Sequence, residues 1–445
     1  MFLDSFTYIR LQKFVAFNFL LFIILHFLLL FLFPDNLPDA GIICVQCVFY
    51  ISFLLIFFIG LRLELKSLFV SVFLYQFFLS VFLYVYFCYF VESPFGYDPI
   101  DSLLYKNITE ITMHMDFSQF VRHLQYYNNI DISDYGYPFV QRWVFILLGK
   151  EAGVFGMVVL NLFFHVLTSF YLYKLSSFLL GYEESKLVVF LWGINICAVW
   201  LNVSGLKEQI FVFLVVMATY HMYIFARKRR IMNLLLFFCF VMCIWFFRYY
   251  VSLFFLIIFF FSVCFKSLYN RLFFVYCIGI VITVLFGINI LVYFMPELNV
   301  IEVVRGKIAE INGSNTFIYH AISTVFAFLG PIPTFLDTPK KMNLLISAYS
   351  IWKLMFSIFG IYAAYYLVKN HKVQFYPLIN MVLFNTLLTI VSGYALSYRY
   401  VYITMPLYLI LMVYGIKLLI KKKIYISIYI CFCLLASLFF NLRNF

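Results

Sequence analysis

The stretch LWGINICAVWLNVSGLKEQIFVFLVVMATY, residues 191–220, joins two apolar runs through a short turn that carries Lys207 and Glu208 side by side. Apolar runs of similar length recur along the chain, and about 20 apolar residues suffice for a helix to cross a bilayer. Gly205 permits the turn, because glycine adopts backbone conformations that other residues avoid. Charged side chains near hydrocarbon depth are costly and are usually paired or functional. The stretch therefore predicts two membrane helices joined by a charged turn.

The composition indicates an all-α, polytopic membrane protein. Hydrophobic residues make up 66% of the 445 positions and charged residues only 11%, whereas a soluble domain carries about 25% charged residues. The net charge of +12 lies mainly in short connections at the ends of apolar runs, as the positive-inside rule predicts. This placement argues against nucleic acid as a partner. The ten cysteines lie mostly within apolar runs, and the Cys44/Cys47 pair has no second pair to complete a metal site.

Thirteen membrane helices are predicted, within a range of 12–14, as a single transmembrane domain over residues 1–445. Their predicted bounds are 14–33, 41–60, 67–91, 153–173, 187–203, 209–226, 231–247, 250–265, 272–294, 343–367, 374–393, 400–416 and 424–441. With a cytoplasmic N-terminus, the inner connections hold 18 of the 31 Lys and Arg residues, and the outer side holds 15 of the 19 acids. We therefore expect a multi-pass protein of a bacterial inner membrane, with its first helix retained.

Two long loops are predicted on the outer side, at residues 92–152 and 295–342. The first contains the amphipathic stretch MDFSQFVRHLQYY, residues 115–127, with Phe117, Phe120, Val121 and Leu124 at helical spacing. The segment 138–150 is too short to span a bilayer and is expected to lie at the membrane interface. Loops cannot expose their backbone to hydrocarbon, so both must fold at the outer surface or line a cavity.

Asp116 is the main candidate for a catalytic group. A carboxylate at this position can act as a general base on a sugar hydroxyl or bind a divalent metal ion. An ordinary helix-capping aspartate is the alternative interpretation. Rival carboxylates in the same loop are Asp98, Asp101, Asp131 and Asp134.

Basic and aromatic residues form the candidate binding set on the same side. Lys207 precedes Glu208 in the charged turn, and arginine binds phosphate through two parallel hydrogen bonds. The other candidates are Arg248 with Tyr249, Arg399 with Tyr400, and Arg305 of the second loop. The alternative for the Arg/Tyr pairs is anchoring at the membrane interface, and for Lys207 a solvated turn.

The motifs HMDFSQF (114–120), SDYGYPFVQRWVFILLG (133–149) and FFRYY (246–250), with the stretch quoted first, resemble the membrane-embedded GT-C glycosyltransferases. The resemblance covers about residues 98–265, a GT-C-like core region, with a weaker patch near 395–415. Asp116 matches the family's acidic residue, and Lys207 with Glu208 matches the charged turn that opens a later helix. Tyr137 belongs to the matching Tyr/Gly/Pro segment, and Arg399 with Tyr400 to a late RYxxxxxP pattern. The acidic loop usually follows the first helix in that family, whereas here it follows the third.

The resemblance implies an enzyme that transfers a sugar from a polyprenyl-phosphate-linked donor at the outer face of the membrane, in cell-surface glycan assembly. Asp116 would be the base, and Lys207, Arg248 and Arg399 would hold the donor phosphate. A divalent cation, Mg²⁺ or Mn²⁺, is used by some members, so a metal stays open here. The expected partners are a polyprenyl-phosphate-linked sugar or oligosaccharide and membrane lipid.

Two alternatives remain. The segment GPIPTFLDTPKK, residues 330–341, resembles outer loops of bacterial O-antigen and capsule repeat-unit polymerases, for which Arg305 would matter as much as Asp116. A flippase for lipid-linked oligosaccharide is the other. A flippase predicts ionisable residues at mid-membrane depth, and the predicted spans contain two of them, Lys353 and His26. It also predicts an internal repeat, which the sequence does not show.

Overall fold

The computed structural model describes residues 5–60, 64–97, 99–124, 134–264, 325, 327–391 and 398–442. Helix accounts for 85% of the structure, and no strand occurs among these residues. The all-α prediction is therefore confirmed for the described part of the chain.

Eighteen α-helices are described. They are α1 (Ser5–Leu32), α2 (Ala40–Gly60), α3 (Leu65–Phe90), α4 (Ile100–Thr112), α5 (Phe117–Arg122), α6 (Gly136–Leu148), α7 (Lys150–Leu179), α8 (Tyr182–Gly193), α9 (Ile196–Val203), α10 (Glu208–Lys228), α11 (Ile231–Trp245), α12 (Tyr249–Cys264), α13 (Lys341–Leu345), α14 (Ser347–Lys369), α15 (Tyr376–Val391), α16 (Tyr398–Tyr402), α17 (Met405–Leu419) and α18 (Lys423–Leu442).

Within the described residues, eight helical segments are long and apolar enough to cross a membrane, and the bent pair α8/α9 makes a ninth if it counts as one span. Helices α11, α12 and α17 are apolar but shorter. Helices occur at twelve of the thirteen predicted segments, and the remaining one, 272–294, lies outside the described residues. Helix length and composition thus indicate a multi-pass membrane protein.

Helix α10 lies at the centre of the bundle. Of the residues in its apolar window, 72% are buried, against 28% in α18. Helices α8 and α9, which precede α10 in the chain, are also buried almost throughout. The quoted stretch therefore forms the middle of the molecule, as its lack of a polar face requires.

The predicted span 187–203 is two helices, because the chain bends by 49° between α8 and α9. Asn195 caps α9, since its Oδ1 accepts a hydrogen bond from the Cys197 backbone N–H at 3.0 Å. Gln76 of α3 donates to the free carbonyls of Gly193, at 2.6 Å, and Asn195, at 3.1 Å. Carbonyl groups released by a helix break must be satisfied internally in a membrane, and Gln76 supplies this.

The loop 92–152 contains three helices, one more than the sequence analysis predicted. The unpredicted helix, α4, buries its positions 102, 105, 108, 109 and 112. In the predicted amphipathic stretch, Phe120 and Leu124 are buried against α4, whereas Phe117 is 62% exposed. Helix α6, at 13 residues, is about 20 Å long, shorter than the roughly 30 Å hydrocarbon core of a bilayer. Its place at the membrane interface stays a prediction.

Of the second loop, residues 325 and 327–342 are described, and Arg305 lies outside the described residues. The segment 331–336 is buried. Asn441 of α18 accepts a hydrogen bond from the Phe335 N–H at 2.7 Å and donates to the Pro333 carbonyl at 3.0 Å. The last helix therefore holds the end of this loop.

We predict that Gln76→Leu lowers the free energy of unfolding by roughly 1–3 kcal/mol, because the variant leaves buried carbonyl groups without donors. The measurement is thermal unfolding in detergent. Gln12→Leu is the matched control, since Gln12 makes one 3.4 Å bond near the surface. An equal drop in melting temperature for both variants would contradict the role given to Gln76.

Candidate functional site

The turn between α9 and α10 is held rigidly at the end of the helix pair. Gly205 has a φ of +64°, and a Cβ there would lie 2.7 Å from the Phe95 ring. Ser102 of α4 donates a hydrogen bond to the Ser204 carbonyl. A residue other than glycine would need both a left-handed backbone and a displaced ring. The unpredicted helix α4 thus positions the charged turn.

Glu208, the first residue of α10, is the centre of a buried charge cluster. Its side chain is 1% exposed. Arg399 Nε donates to its Oε1 at 2.9 Å, and Arg248 Nη2 lies 3.8 Å from the same oxygen. Its other oxygen, Oε2, is buried with no hydrogen-bond partner among the described residues. A carboxylate at a helix N-terminus is favoured by the helix dipole, which accounts for an acid at this position.

Arg248 is fixed by the turn between α11 and α12. Gly136 donates its backbone N–H to the Phe246 carbonyl at 2.9 Å, and a Cβ on Gly136 would lie 2.5 Å from the Phe247 ring. Arg248 Nη1 donates to the Tyr250 hydroxyl at 2.7 Å, and its guanidinium lies 4.3 Å from the centre of the Tyr400 ring. Arg248 Nε is buried without a partner in the described part of the chain. One hydrogen-bond donor of this arginine is therefore uncommitted.

Two half-exposed aspartates complete the cluster. Arg399 Nη1 donates to Asp101 Oδ2 at 2.5 Å, and Lys207 Nζ forms an ion pair with Asp134. The carboxyl side chains of Asp101 and Asp134 are 47% and 37% exposed, whereas Lys207 and Arg248 are only 5% and 9% exposed. The charge cluster, defined as Asp101, Asp134, Lys207, Glu208, Arg248 and Arg399, therefore has a buried, largely basic interior and an acidic rim open to solvent.

Lys207 sits in an unfavourable place for a positive charge. Burial lowers the pKa of its ammonium group well below the usual value, and Arg248 lowers it further, whereas Glu208 raises it. Its other hydrogen bond is to the Phe247 carbonyl at 3.1 Å. An anion bound beside Lys207 would raise this pKa again, because an opposite charge favours the charged form.

Next to the cluster lies a network of hydrogen bonds between buried amide and hydroxyl side chains. Gln209 donates to Asn202 Oδ1 at 2.8 Å and accepts from the Tyr402 hydroxyl at 3.2 Å. Asn202 donates to Ser80 at 3.0 Å and to Gln76 at 3.3 Å. The network connects the helix break to the charged turn, so the two features depend on the same side chains.

Of the three tyrosines predicted to belong to the site, one contacts the charge cluster through Arg248 and two contact other aromatic rings. Tyr400 is in the site through its ring contact with Arg248. Tyr137 is fully buried, with its ring 5.3 Å from that of Tyr105. Tyr249 begins α12, and its ring lies against those of Trp245 and Tyr250, at 6.1 and 5.8 Å between centroids. Tyr250, which the sequence analysis did not select, is the tyrosine that bonds to Arg248.

Asp116 is a helix cap. Its Oδ1 accepts a hydrogen bond from the Gln119 backbone N–H at 2.7 Å, and the Gln119 side chain accepts from the Asp116 N–H at 3.3 Å, which forms a capping box. The bond from Gln119 lowers the pKa of the carboxyl group, so the cap persists until the pH falls below the usual aspartate range. Within the described residues its polar contacts are with Ser118, Gln119 and Arg122 of its own helix. The structure does not bring Asp116 into the charge cluster.

The other predicted site residues are not among those described. Asp98, Asp131 and Arg305 lie outside the described residues. No group of three or more His, Cys, Asp or Glu side chains within the described part of the chain is placed to hold a metal ion. The Mg²⁺ or Mn²⁺ site stays a prediction.

The part that Asp101 plays in the charge cluster could be predicted from the sequence only in part. Asp101 was one of several rival carboxylates, and the buried positions of α4 follow the three- and four-residue spacing of a helix. That spacing would have placed Asp101 and Ser102 in the first turn of a packed helix. No local signal pairs Asp101 with Arg399, 298 residues away.

We expect Glu208→Gln to lower the free energy of unfolding by roughly 3 kcal/mol or more, because the variant leaves the buried Arg248 and the partly buried Arg399 without their shared counter-charge. Asp101→Asn should cost about 1 kcal/mol or less, since its carboxylate is half-exposed. Thermal unfolding in detergent measures both. A Glu208→Gln protein as stable as Asp101→Asn would show that Glu208 is not the centre of the cluster.

Two substitutions of Asp116, the cap of α5, distinguish the effect of its charge from that of its capping hydrogen bond. Asn caps helices about as well as Asp, and Ala does not. Hydrogen exchange over residues 117–122 should therefore be faster in Asp116→Ala than in wild type and unchanged in Asp116→Asn. Unchanged exchange in Asp116→Ala would mean that the capping box does not hold this helix.

No protein-family model, curated protein or solved structure matches this chain. The resemblance to GT-C glycosyltransferases thus rests on the motifs quoted above and on no overall similarity.

Proposed function

We propose that the chain is a glycosyltransferase that takes its sugar from a polyprenyl-phosphate-linked donor and binds the donor phosphate at the charge cluster. One observation carries the proposal. Three cations from separate parts of the chain, Lys207, Arg248 and Arg399, meet in a buried site whose open side is lined by Asp101 and Asp134. Buried charge of this density is expensive to maintain, and such sites are most often functional.

The donor phosphate would bind by replacing the rim aspartates as the partner of the cations. Arg399 and Lys207 each contact one half-exposed aspartate, and Arg248 Nε is uncommitted. Arginine and lysine donors directed at the phosphate would stabilise its charge as it leaves the sugar. Glu208 would stay in place throughout, because its role is to hold Arg248 and Arg399 in position.

The same exchange would free a base. Asp101 or Asp134, once released from its cation, stands at the mouth of the site and would accept the proton of the acceptor hydroxyl. Asp116, which the family resemblance favours, is fully exposed and also reachable by an acceptor from solution. We therefore propose these three carboxylates as the candidates for the base. Where a divalent metal ion takes part, carboxylates of this kind would bind it.

We also propose the finer topology of thirteen spans, a cytoplasmic N-terminus and a site at the outer face of a bacterial inner membrane. The distribution of charge supports this arrangement. The connection between α10 and α11 carries Arg227, Lys228, Arg229 and Arg230 at the opposite end of α10 from Glu208. Basic connections are retained in the cytoplasm.

The flippase alternative has one observation in its favour, Lys353 of α14. Its side chain is 1% exposed, and Nζ has no hydrogen-bond partner among the described residues. An ionisable residue inside a membrane is a functional-site hypothesis by default. His26 is partly bonded, because its Nδ1 pairs with the Tyr50 hydroxyl at 3.1 Å, whereas its buried Nε2 has no partner among the described residues.

The deciding experiment is mass spectrometry of polyprenyl-linked oligosaccharides from host cells with and without the gene. A glycosyltransferase predicts that deletion leaves an intermediate one sugar short. Accumulation of complete single repeat units, with loss of long chains, would contradict the proposal and favour the polymerase if the units lie on the outer side. Units held on the inner side would favour the flippase.

Variants test the site itself. We expect Lys207→Ala to weaken donor binding at least tenfold, since loss of one charged hydrogen bond costs about 1.5–3 kcal/mol. Lys341→Ala is the matched control, because Lys341 forms an ion pair with Asp337 at 2.6 Å outside the cluster. Asn variants of Asp101, Asp116 and Asp134 should identify the base. The variant that removes the base should have no turnover, although the amount of protein in the membrane stays normal. Unchanged donor affinity in Lys207→Ala, or full turnover in all three Asn variants, would reject these roles.

A further inference from the structure

A cavity of about 150 Å³ lies at the far end of the bundle from the charge cluster. It is lined by the end of α7, the start of α8, the segment before α15 and the end of α17. Tyr223 of α10 donates a hydrogen bond to the carbonyl of Gln374, one of the lining residues, at 2.9 Å. Because Tyr223 is 15 residues beyond Glu208, the two sites are separated by about 22 Å along α10.

The cavity carries an excess of positive charge. Lys372 and Lys417 line it together with Glu184. Glu184 is committed, since its buried carboxylate accepts from Lys417 Nζ at 2.7 Å. Lys372 forms no ion pair within the described residues. One cation is therefore available to a ligand in the cavity.

A second cation stands at its edge. Arg227 is four residues beyond Tyr223 and on the same face of α10, so it projects toward the side of the helix that contacts Gln374. Its guanidinium lies 4.9 Å from the centre of the Phe178 ring, next to the lining residue Leu179. Arg227 thus lies on the side of α10 that contacts Gln374, near the cavity but outside its lining.

The floor of the cavity is apolar. It is formed by Leu179, Leu180 and Phe375, and the Tyr414 ring packs on Phe375 with centroids 5.4 Å apart. A ligand with a charged group and an adjoining apolar part fits both the basic edge and the apolar floor, whereas a free inorganic anion uses only the first.

We propose that this cavity binds the phosphodiester headgroup of an anionic phospholipid, with the lipid's glycerol on the apolar floor. Its volume equals that of about five liquid waters at roughly 30 Å³ each, enough for a phosphate group and part of its glycerol. Basic pockets between helices on the cytoplasmic side are typical sites for anionic lipid headgroups. The inference does not depend on the proposed glycosyl transfer.

The test is native mass spectrometry of the full-length chain in a neutral detergent, titrated with phosphatidylglycerol or with phosphatidylcholine. We expect retention of phosphatidylglycerol over phosphatidylcholine, because the choline charge cancels that of the phosphate. Lys372→Gln should weaken phosphatidylglycerol binding about fivefold, the effect of one cation near a lipid surface. Lys372 is exposed and unpaired, so this variant should fold.

Lys369→Gln is the matched control. Lys369 is the last residue of α14, three residues before Lys372, and its Nζ lies 5.7 Å from the centre of the Tyr365 ring, but it does not line the cavity. Equal binding of the two lipids, or equal loss in the Lys369 and Lys372 variants, would overturn the site. Complete displacement of phosphatidylglycerol by an equal concentration of inorganic phosphate would overturn the lipid as its ligand.

Discussion

The burial of one carboxylate, that of Glu208, between Arg399 and Arg248 constrains the rest of the structure. These three residues come from α10, from the turn before α12 and from α16. A charge taken out of water must be paired at close range, so the three elements have to meet at one point. The position of Glu208 at the start of the central helix makes that point the end of the bundle core.

The middle of the molecule is organised around the same need to satisfy polar groups away from water. The break between α8 and α9 exposes backbone carbonyls, and Gln76 bonds to two of them. The same network continues through Asn202 and Gln209 to Tyr402, directly beneath the charged turn. A fully bonded network of this kind fixes one arrangement of helices, because each alternative leaves a buried polar group unpaired.

The two ends of α10 carry different arrangements of charge. At its start, buried cations lie behind half-exposed carboxylates, the arrangement from which we propose binding of an anionic substrate. At its end, exposed cations surround a small cavity with an apolar floor. The acids at the start of α10 are half-exposed, whereas Glu184 at the cavity is buried and paired with Lys417.

Composition and hydrophobic run length alone determined the class of protein and the location of most helices, because burial in a bilayer acts on each segment separately. The sequence also singled out Lys207, Glu208, Arg248 and Arg399, as charges are rare in so apolar a chain. Only the tertiary structure decided which of them touch, which carboxylates accompany them, and that Asp116 is a cap while Asp101 is a partner. Pairing between residues 191 and 298 positions apart has no local signature, because it arises from how the helices pack and from the cost of leaving the buried Glu208 carboxylate without an opposite charge.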